Sequence, residues 1–253
     1  MLNSTIRFSD RVEDYAKYRP SYPSDVIELL KSKFSLSPSH TIVDVGSGTG
    51  ISSELFLKNG NTVFGVEPND SMRIEAEKNL ARYEAFKSVN GVSNKTNLSN
   101  KCADFIVVAQ AFHWFEPVST RAEFKRILKD DGVVVILFND RATKGTPFAE
   151  QYEALLNEFG SDYKQVKHKN VGEKRHKEFL GEYQEFHFSN YQDFNFDGLL
   201  GRLQSSSYAP KEGDIRFVEM VNVLRRIFDD NCKNGLVRIE YDTQLFCSRL
   251  KHE

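Results

Sequence analysis

Short apolar runs alternate with longer amphipathic segments through the first 140 residues of the chain. The runs cover residues 41–45 (TIVDV), 62–66 (TVFGV), 103–109 (ADFIVVA) and 133–138 (VVVILF), with a weaker one at 86–89. Runs that are almost wholly apolar are typical of parallel strands buried on both faces of a sheet. Strands that alternate with helices therefore predict an α/β fold with a parallel, covered sheet.

The segments between these runs have helical spacing. Helices are predicted over residues 26–34, 51–59, 71–83 and 120–128. Ser24 is the predicted N-cap of the first helix, and Gly60 is the predicted stop of the second. A turn over residues 129–132 (KDDG) is expected to end the last of these helices before the most apolar strand.

The pattern changes after Asn139. Helices are predicted over residues 147–159, 193–203 and 214–230, strands over 183–188 and from Gly235 to Leu250, and a polar, basic and solvated stretch over 164–177. The predicted fold is a doubly wound, Rossmann-like sheet of about seven mostly parallel strands, with an antiparallel C-terminal strand and a helical lid insertion. We expect one compact domain, with a lead-in and core over residues 1–140, the lid over 141–235 and the final strand over 236–253.

Composition narrows the class of protein. Of 253 residues, 40% are hydrophobic, which is enough for a packed core. The 34 basic and 36 acidic residues give a formal charge of -2, without the basic surplus of a general nucleic-acid binder. Cys102, Cys232 and Cys247 lie far apart, which predicts reduced thiols and no metal site. With no apolar run of membrane-spanning or signal-peptide length, we expect a cytoplasmic protein.

A glycine-rich motif follows the first strand. Residues 43–50 (VDVGSGTG) have the spacing G-x-G-x-G, whereas a dinucleotide fingerprint has G-x-G-x-x-G. Asp44 stands two residues before Gly46, where its charge would repel a pyrophosphate. The carboxylate would instead suit a cationic ligand, or hold the loop by accepting backbone N–H bonds.

Glu67 ends the second strand, 21 residues after Gly46. At this distance from a glycine loop an acidic residue meets a ribose diol, because one carboxylate can accept both hydroxyl hydrogens. Either feature alone is weak evidence, since a glycine turn or a surface glutamate is common. Together in a βαβ context they predict a ligand of the adenosine type.

Several stretches resemble class I S-adenosylmethionine-dependent methyltransferases, and in particular the small-molecule branch that includes the trans-aconitate methyltransferases. They are VDVGSGTG (43–50), VFGVEPNDSM (63–72), GVSN (91–94), AQAFHWF (109–115), DYAKYRPSYP (14–23) and QSSSY (204–208). The specific part of the resemblance covers residues 8 to about 140. It implies a doubly wound fold, S-adenosylmethionine as the cofactor and methyl transfer as the activity.

The resemblance also implies roles for individual residues. Gly46, Ser47 and Gly48 would line the methionine and ribose portion, Glu67 would hold the ribose, Pro68 and Met72 would pack near the adenine, Val92 and Ser93 would flank the base, Gln110 and Ala111 would lie under the sulfur, and Tyr15 and Arg19 would close over the methionine part. Arg19 is then the predicted partner of the methionine carboxylate.

The acceptor and the catalytic residue are not determined by these motifs. His113 is a candidate general base past the end of a strand, although a structural histidine is the commoner role. Arg121, Arg141 and the basic stretch could attract an anionic small-molecule acceptor, or form a solvated surface. The alternatives are a cofactor-binding protein without catalysis, an NAD-dependent oxidoreductase and a nucleic-acid methyltransferase. The last is disfavoured because Gln110-Ala111-Phe112-His113 stands where amino-directed members have Asn/Asp-Pro-Pro-aromatic.

Overall fold

The computed structural model describes residues 12–161, 163 and 172–250, except the side chains of residues 13 and 14. Its strands are β1 (Thr41–Val45), β2 (Thr62–Val66), β3 (Phe86–Val89), β4 (Ala103–Ala109), β5 (Leu128–Arg141), β6 (Gln184–Phe194) and β7 (Val237–Ser248). They form one sheet in the order β3-β2-β1-β4-β5-β7-β6. β1 to β5 are parallel, and β7 is antiparallel to both of its neighbours. The predicted fold class is confirmed.

Helices cover both faces of the sheet. They are α1 (Val12–Tyr18), α2 (Asp25–Phe34), α3 (Ile51–Lys58), α4 (Asp70–Asn79), α5 (Pro117–Ile127), α6 (Pro147–Phe159), α7 (Glu173–Leu180), α8 (Phe196–Gln204) and α9 (Ile215–Asn231). Alternate strand residues enter opposite cores, as the period of two requires. Ile42 packs in the core that contains α2, and Val43 packs in the core that contains α5 and α7.

A third apolar cluster joins the later helices to β7. Tyr152 of α6, Leu199 of α8 and Leu224 of α9 pack with Ile239 and Tyr241 of β7. This cluster packs α8 against the paired ends of β6 and β7, where Phe194 of β6 also joins it. The predicted division of the chain into core, lid and final strand remains a prediction.

Several helix and strand ends differ from the sequence-based prediction. α1 and the 3₁₀ turn Phe112–Trp114 were not predicted, and α4 ends at Asn79, before the expected residue 83. Ser24 occupies the N-cap position but its side chain makes no capping hydrogen bond, whereas Gly60 follows α3 with φ +93°, as a helix stop requires.

Long-range pairing explains the largest differences. The predicted turn at 129–132 lies within β5, because Leu128 already pairs with Ala103 before an irregularity in the ladder. A helix predicted from residue 193 begins at Phe196, because β6 pairs with β7 as far as Phe194. Residues 1–11, and positions 164–171 of the predicted basic stretch, lie outside the described residues. The end of that stretch, residues 173–177, was wrongly predicted to be solvated, because it begins α7 and buries His176. Within the described ranges, no helix combines the length and apolarity needed to cross a bilayer.

Candidate active site

A cleft of about 380 Å³ opens at the carboxyl edge of the sheet. The loops after β1, β2 and β3 form one wall, and the loop after β4 forms the floor. The end of β5, Tyr241 of β7 and the residues around the end of α8 form the other wall. α1 contributes Tyr15, and Arg19 follows it. This is the edge at which open α/β sheets bind ligands.

The glycine loop is shaped for close approach. Gly46 and Ser47 donate their backbone N–H groups to the carbonyl of Val66, at 2.8 and 3.2 Å, which fixes the loop against β2. Gly46 has φ +74°, and a Cβ added to it would lie 2.6 Å from the Cβ of Ala111. Gly48 has φ +55°, and an added Cβ there would meet no atom within 4 Å because it points into open space. The first glycine is therefore required by packing, and the second leaves room beside the cleft.

Glu67 connects the loops after β1 and β2. One carboxylate oxygen accepts the N–H of Gly48 at 3.0 Å, and the other accepts the N–H of Asn69 at 2.9 Å. The side chain is 9% exposed. Burial raises the pKa of Glu67, although the two backbone hydrogen bonds counter this by favouring the charged form. Since each carboxylate oxygen has two lone pairs, acceptor capacity remains on the cleft side.

Asp44 lies behind the glycine loop. One oxygen, Oδ2, accepts the hydroxyl hydrogens of Ser52 and Ser53 at 2.6 and 2.7 Å, while Oδ1 is buried without a partner. The sequence suggested that backbone N–H groups donate to the Asp44 carboxylate, whereas in the structure the donors are these two hydroxyls of α3. Burial raises the pKa of Asp44 to about 6. Asp44 is fully buried and does not border the cleft, so it holds the start of α3 beneath the loop.

The residues expected near an adenine lie at one end of the cleft. Pro68, Met72, Val92 and Ser93 all line it. Met72 is in the first turn of α4, where its N–H bonds to the Asn69 side chain at 3.0 Å. The hydroxyls of Ser93 and Thr120 lie 2.9 Å apart, which holds the loop after β3 against α5.

The loop after β4 forms the floor of the cleft. Gln110 has φ +57°, and its side chain donates to the carbonyl of Asn139 at 3.2 Å. Ala111 contacts the glycine loop through Gly46. His113 and Trp114 line the cleft from the 3₁₀ turn, with ring centroids 4.6 Å apart. The structure thus brings together every residue predicted to touch the cofactor except Asp44.

Arg19 lies over the cleft next to Tyr15. Its guanidinium is 4.8 Å from the centroid of the Tyr15 ring and donates from Nη2 to the carbonyl of Ser205 at 2.9 Å. Its Nε is buried and has no hydrogen-bond partner among the described residues. Burial, and then the nearby charge of Arg202, lowers the pKa of Arg19. This arrangement leaves a cation facing the cleft without a carboxylate to neutralise it.

Other cleft residues were not predicted from the sequence. Arg202 and Tyr241 line the far wall together with Tyr208, which belongs to the QSSSY stretch but had no assigned role, and Arg141, which had been considered only as one of several basic residues. Nothing in the local pattern around α8 distinguishes Arg202 from a surface arginine. By contrast Arg121, considered as an attractor of anions, donates to the carbonyl of Phe179 at 2.9 Å and does not line the cleft.

The sheet order, with an antiparallel β7 beside β5, is that of the Rossmann-like methyltransferase fold. Residues 43–136 match a family model described as a methyltransferase domain. Over residues 43–136 the chain therefore resembles methyltransferases, a family whose cofactor is S-adenosylmethionine.

Individual proteins show the same similarity. An uncharacterized methyltransferase of Schizosaccharomyces pombe is 25% identical over 150 residues, which is 59% of this chain and 58% of that relative. The match thus spans less than two thirds of the relative. A type II methyltransferase structure from Anaeromyxobacter dehalogenans superposes with a TM-score of 0.68 at 17% identity, covering 93% of this chain and all (100%) of the other.

A phosphoethanolamine N-methyltransferase of Haemonchus contortus shares the fold more distantly. Its structure contains phosphomonomethylethanolamine and S-adenosylhomocysteine, and it superposes with a TM-score of 0.55 at 11% identity over 96% of this chain and 58% of the other. At these identities the structures show the shared fold, and the acceptor of this chain must be argued from its own residues.

Proposed function

We propose that the protein transfers the methyl group of S-adenosylmethionine to a small-molecule acceptor. The observation that carries this proposal is the convergence of Arg19, the Gly46–Gly48 loop and Glu67 on one cleft at the carboxyl edge of the sheet. These groups come from three separate parts of the sequence, and each suits a different part of the donor molecule.

The cleft residues fit the cofactor. Arg19 presents a buried Nε without a partner, which suits the methionine carboxylate. Gly48 leaves open space where any side chain would project, and Glu67 retains lone pairs for the ribose hydroxyls. Met72 and Val92 provide apolar contact for an adenine. Residues that bind an amino-acid end, a sugar and a base are thus arranged along one cleft.

When held by these residues, S-adenosylmethionine would supply a sulfonium methyl group for a nucleophilic atom of the acceptor, and S-adenosylhomocysteine would be the leaving group, keeping the electron pair of the broken carbon–sulfur bond. The protein's own contribution is alignment, which can supply much of the rate. Gln110 and Ala111 form the floor at the end of β4, and the strained φ of Gln110 is held by its N–H bond to Leu137 at 2.9 Å. His113 remains a candidate base and is not required if the acceptor is already nucleophilic.

A small acceptor is favoured by the size and enclosure of the site. The cleft of about 380 Å³ lies near the lower end of the ~300–1,000 Å³ range of ligand pockets, and it has to accommodate both donor and acceptor. Tyr15 and Arg19 lie on one side, and Arg202 and Tyr208 on the other. The net charge of -2 also gives no general attraction for nucleic acid. A cytoplasmic location stays a prediction from the sequence.

The two other functions are less well supported. An NAD-dependent oxidoreductase would need a glycine loop that receives a pyrophosphate, and here the loop is backed by the buried carboxyl of Asp44. The antiparallel β7 also departs from the strand order of dinucleotide-binding sheets. A cofactor-binding protein without catalysis would bind S-adenosylmethionine with the same residues, and it would differ from an enzyme only because it does not turn over an acceptor.

Calorimetry tests the proposal first. Purified protein is titrated with S-adenosylmethionine, S-adenosylhomocysteine and NAD. The titrations are repeated with Glu67→Ala and with Glu77→Ala, which changes an exposed glutamate on α4, the helix that follows Glu67. We expect both sulfur ligands to bind, NAD not to bind, and only the Glu67 variant to lose affinity. Binding of NAD alone would refute the proposal. Release of S-adenosylhomocysteine with a panel of acceptors then separates an enzyme from a non-catalytic binder.

A further inference from the structure

The 3₁₀ turn after β4 forms part of the cleft floor, because His113, Trp114 and Phe115 all line the cleft. Two backbone hydrogen bonds close the turn, from the N–H of Trp114 to the carbonyl of Ala111 at 2.9 Å and from the N–H of Phe115 to the carbonyl of Phe112 at 3.2 Å. A single 3₁₀ turn has poorer hydrogen-bond geometry than an α-helix. Its position therefore depends on the groups that pack behind it.

Arg175 of α7 bonds to both ends of this turn. Its Nη2 donates to the carbonyl of Phe115 at 2.6 Å and to that of Phe112 at 3.3 Å. The guanidinium carbon also lies 5.3 Å from the centroid of the Phe112 ring. Hydrogen bonds from a charged donor are stronger than those between neutral groups. One nitrogen thus holds two carbonyls that are three residues apart, which fixes the curvature of the turn.

α7 also packs against the ring of Phe112, which is buried and does not line the cleft. His176 stacks on this ring with centroids 5.5 Å apart, and on its own other face it stacks on Phe246 at 4.1 Å. Phe179 meets the Phe112 ring edge-on at 4.9 Å. Burial, and then the charge of Arg175, lowers the pKa of His176 to about 4, so the imidazole is neutral in this stack at pH 7.

The other end of α7 is attached to the body of the protein. Ser248 of β7 donates its hydroxyl to the carbonyl of Leu180 at 2.9 Å. Arg121 of α5 donates from Nε to the carbonyl of Phe179, also at 2.9 Å. α7 is therefore a fixed support between β7, α5 and the turn, and Arg175 is the residue through which it reaches the backbone of the turn.

The turn in its own right packs against the glycine loop. A Cβ added to Gly46 would lie 2.6 Å from the Cβ of Ala111 and 3.4 Å from the Cζ of the Phe115 ring. A displacement of the turn would consequently move the surface on which the glycine loop rests. That this loop receives the donor rests on the proposed function.

We propose that Arg175 is a positioning residue of the donor site, which sets the cleft floor by bonding to the carbonyls of Phe112 and Phe115. Arg175 itself does not line the cleft and acts through the turn. α7, far along the sequence from the glycine loop and Glu67, is then a working part of the site. A residue that served only to hold α7 in place would affect stability and leave the floor unchanged.

Trp114 distinguishes these two roles, because it is the only tryptophan of the chain and lies half-buried in the turn. Acrylamide quenching of its fluorescence is measured on the full chain without ligand. Arg175→Met keeps an apolar stem over the Phe112 ring but removes the donors, so we expect a higher Stern–Volmer constant than in the unaltered protein. Arg175→Lys retains a charged donor and should restore part of the protection.

Calorimetry with S-adenosylhomocysteine gives the second readout. Arg175→Met should lower affinity by about tenfold or more, because the charged hydrogen bonds that set the floor are lost. Lys174→Met removes an exposed charge from the neighbouring position of α7 and should change neither readout. Ile27→Val, in the core that contains α2, should lower the free energy of unfolding in urea but leave quenching and affinity unchanged.

The outcomes separate this inference from the proposed function. If the unaltered protein does not bind S-adenosylhomocysteine, the proposed function fails, and the donor role of Arg175 fails with it. If it binds, the Arg175 assignment alone is overturned where Arg175→Met leaves quenching or affinity unchanged, or where Ile27→Val changes both to the same extent. Arg175→Gln decides in the same way if Arg175→Met does not fold.

Discussion

The carboxylate of Glu67 accepts a hydrogen bond from the backbone N–H of Gly48 at 3.0 Å, so that the acidic residue after β2 also holds the glycine loop after β1. The same side chain bonds to the N–H of Asn69 at 2.9 Å. Glu67 therefore shapes the loop, and under the proposed function it also presents a carboxylate to a ribose. Both depend on the length of its side chain.

Glu67→Asp tests this dual role, because aspartate keeps the charge but is one methylene shorter. We expect the shorter carboxylate to lose the Gly48 bond or the ribose contact, and affinity for S-adenosylhomocysteine to fall by about tenfold or more in calorimetry. Glu77→Asp, at an exposed position, is the matched control. Unchanged affinity in the Glu67 variant would show that the carboxylate does not contact the donor.

The two glycines of the loop should respond differently to alanine. Gly46→Ala combines a φ of +74° with a contact of 2.6 Å to the Ala111 Cβ, so we expect it to lower the free energy of unfolding by about 2–5 kcal/mol. Gly48→Ala has the φ penalty alone, about 1–2 kcal/mol, but its methyl group projects into open space beside the cleft.

Urea unfolding and calorimetry together distinguish these effects. Gly46→Ala should mainly reduce stability, and Gly48→Ala should mainly reduce affinity for S-adenosylhomocysteine. Equal destabilisation by the two substitutions would mean that the close contact with Ala111 adds little to the loss in the free energy of unfolding.

Asp44 should make stability depend on pH in an identifiable way. Burial raises its pKa from 3.8 to about 6, so the folded protein binds this proton more tightly than the unfolded chain does. The contribution of Asp44 to stability is therefore fully present below its unfolded pKa and is lost as pH rises through about 6. Asp44→Asn removes the titration. We expect the stability of the variant relative to the unaltered protein to rise by about 2–3 kcal/mol between about pH 4 and about pH 7.

Urea unfolding of both proteins across this pH range measures that difference. For Asp25→Asn, at an exposed position on α2, the difference in free energy of unfolding from the unaltered protein should not rise between about pH 4 and about pH 7. A constant difference for Asp44→Asn as well would show that the Asp44 carboxyl is ionised normally in the folded protein.

α1 is held over the cleft by a close fit between Tyr18 and Gly201 of α8. A Cβ on Gly201 would lie 2.1 Å from a Tyr18 ring carbon. Gly201→Ala should therefore displace α1, which carries Tyr15 and precedes Arg19, and weaken S-adenosylhomocysteine binding severalfold in calorimetry. Adding Tyr18→Ala makes space for the new methyl group and should restore part of the affinity. If the single variant binds normally, α1 does not contribute to donor binding.

Local sequence was sufficient for β1 to β4 and for locating the glycine loop and Glu67, which line the cleft. β1, β2, β3 and β4 begin and end at the predicted residues, because buried parallel strands are nearly continuous apolar runs bounded by polar and glycine residues. The glycine loop and Glu67 were found because each lies directly after such a strand, where the fold places ligands. The end of β6 and the start of α8 were misplaced, because they depend on pairing with β7.

The sequence by itself therefore determined the α/β class, the bounds of β1 to β4 and the residues that follow these strands at the cleft. Only the tertiary structure decided that Asp44 lies behind the loop, and that Arg202 and Tyr241 face the cleft. The physical reason is the separation along the sequence between residues that come into contact. Hydrophobic periodicity reports which face of an element is buried, whereas the neighbours of a polar side chain depend on packing between elements far apart in sequence, such as Arg202 of α8 and Tyr241 of β7.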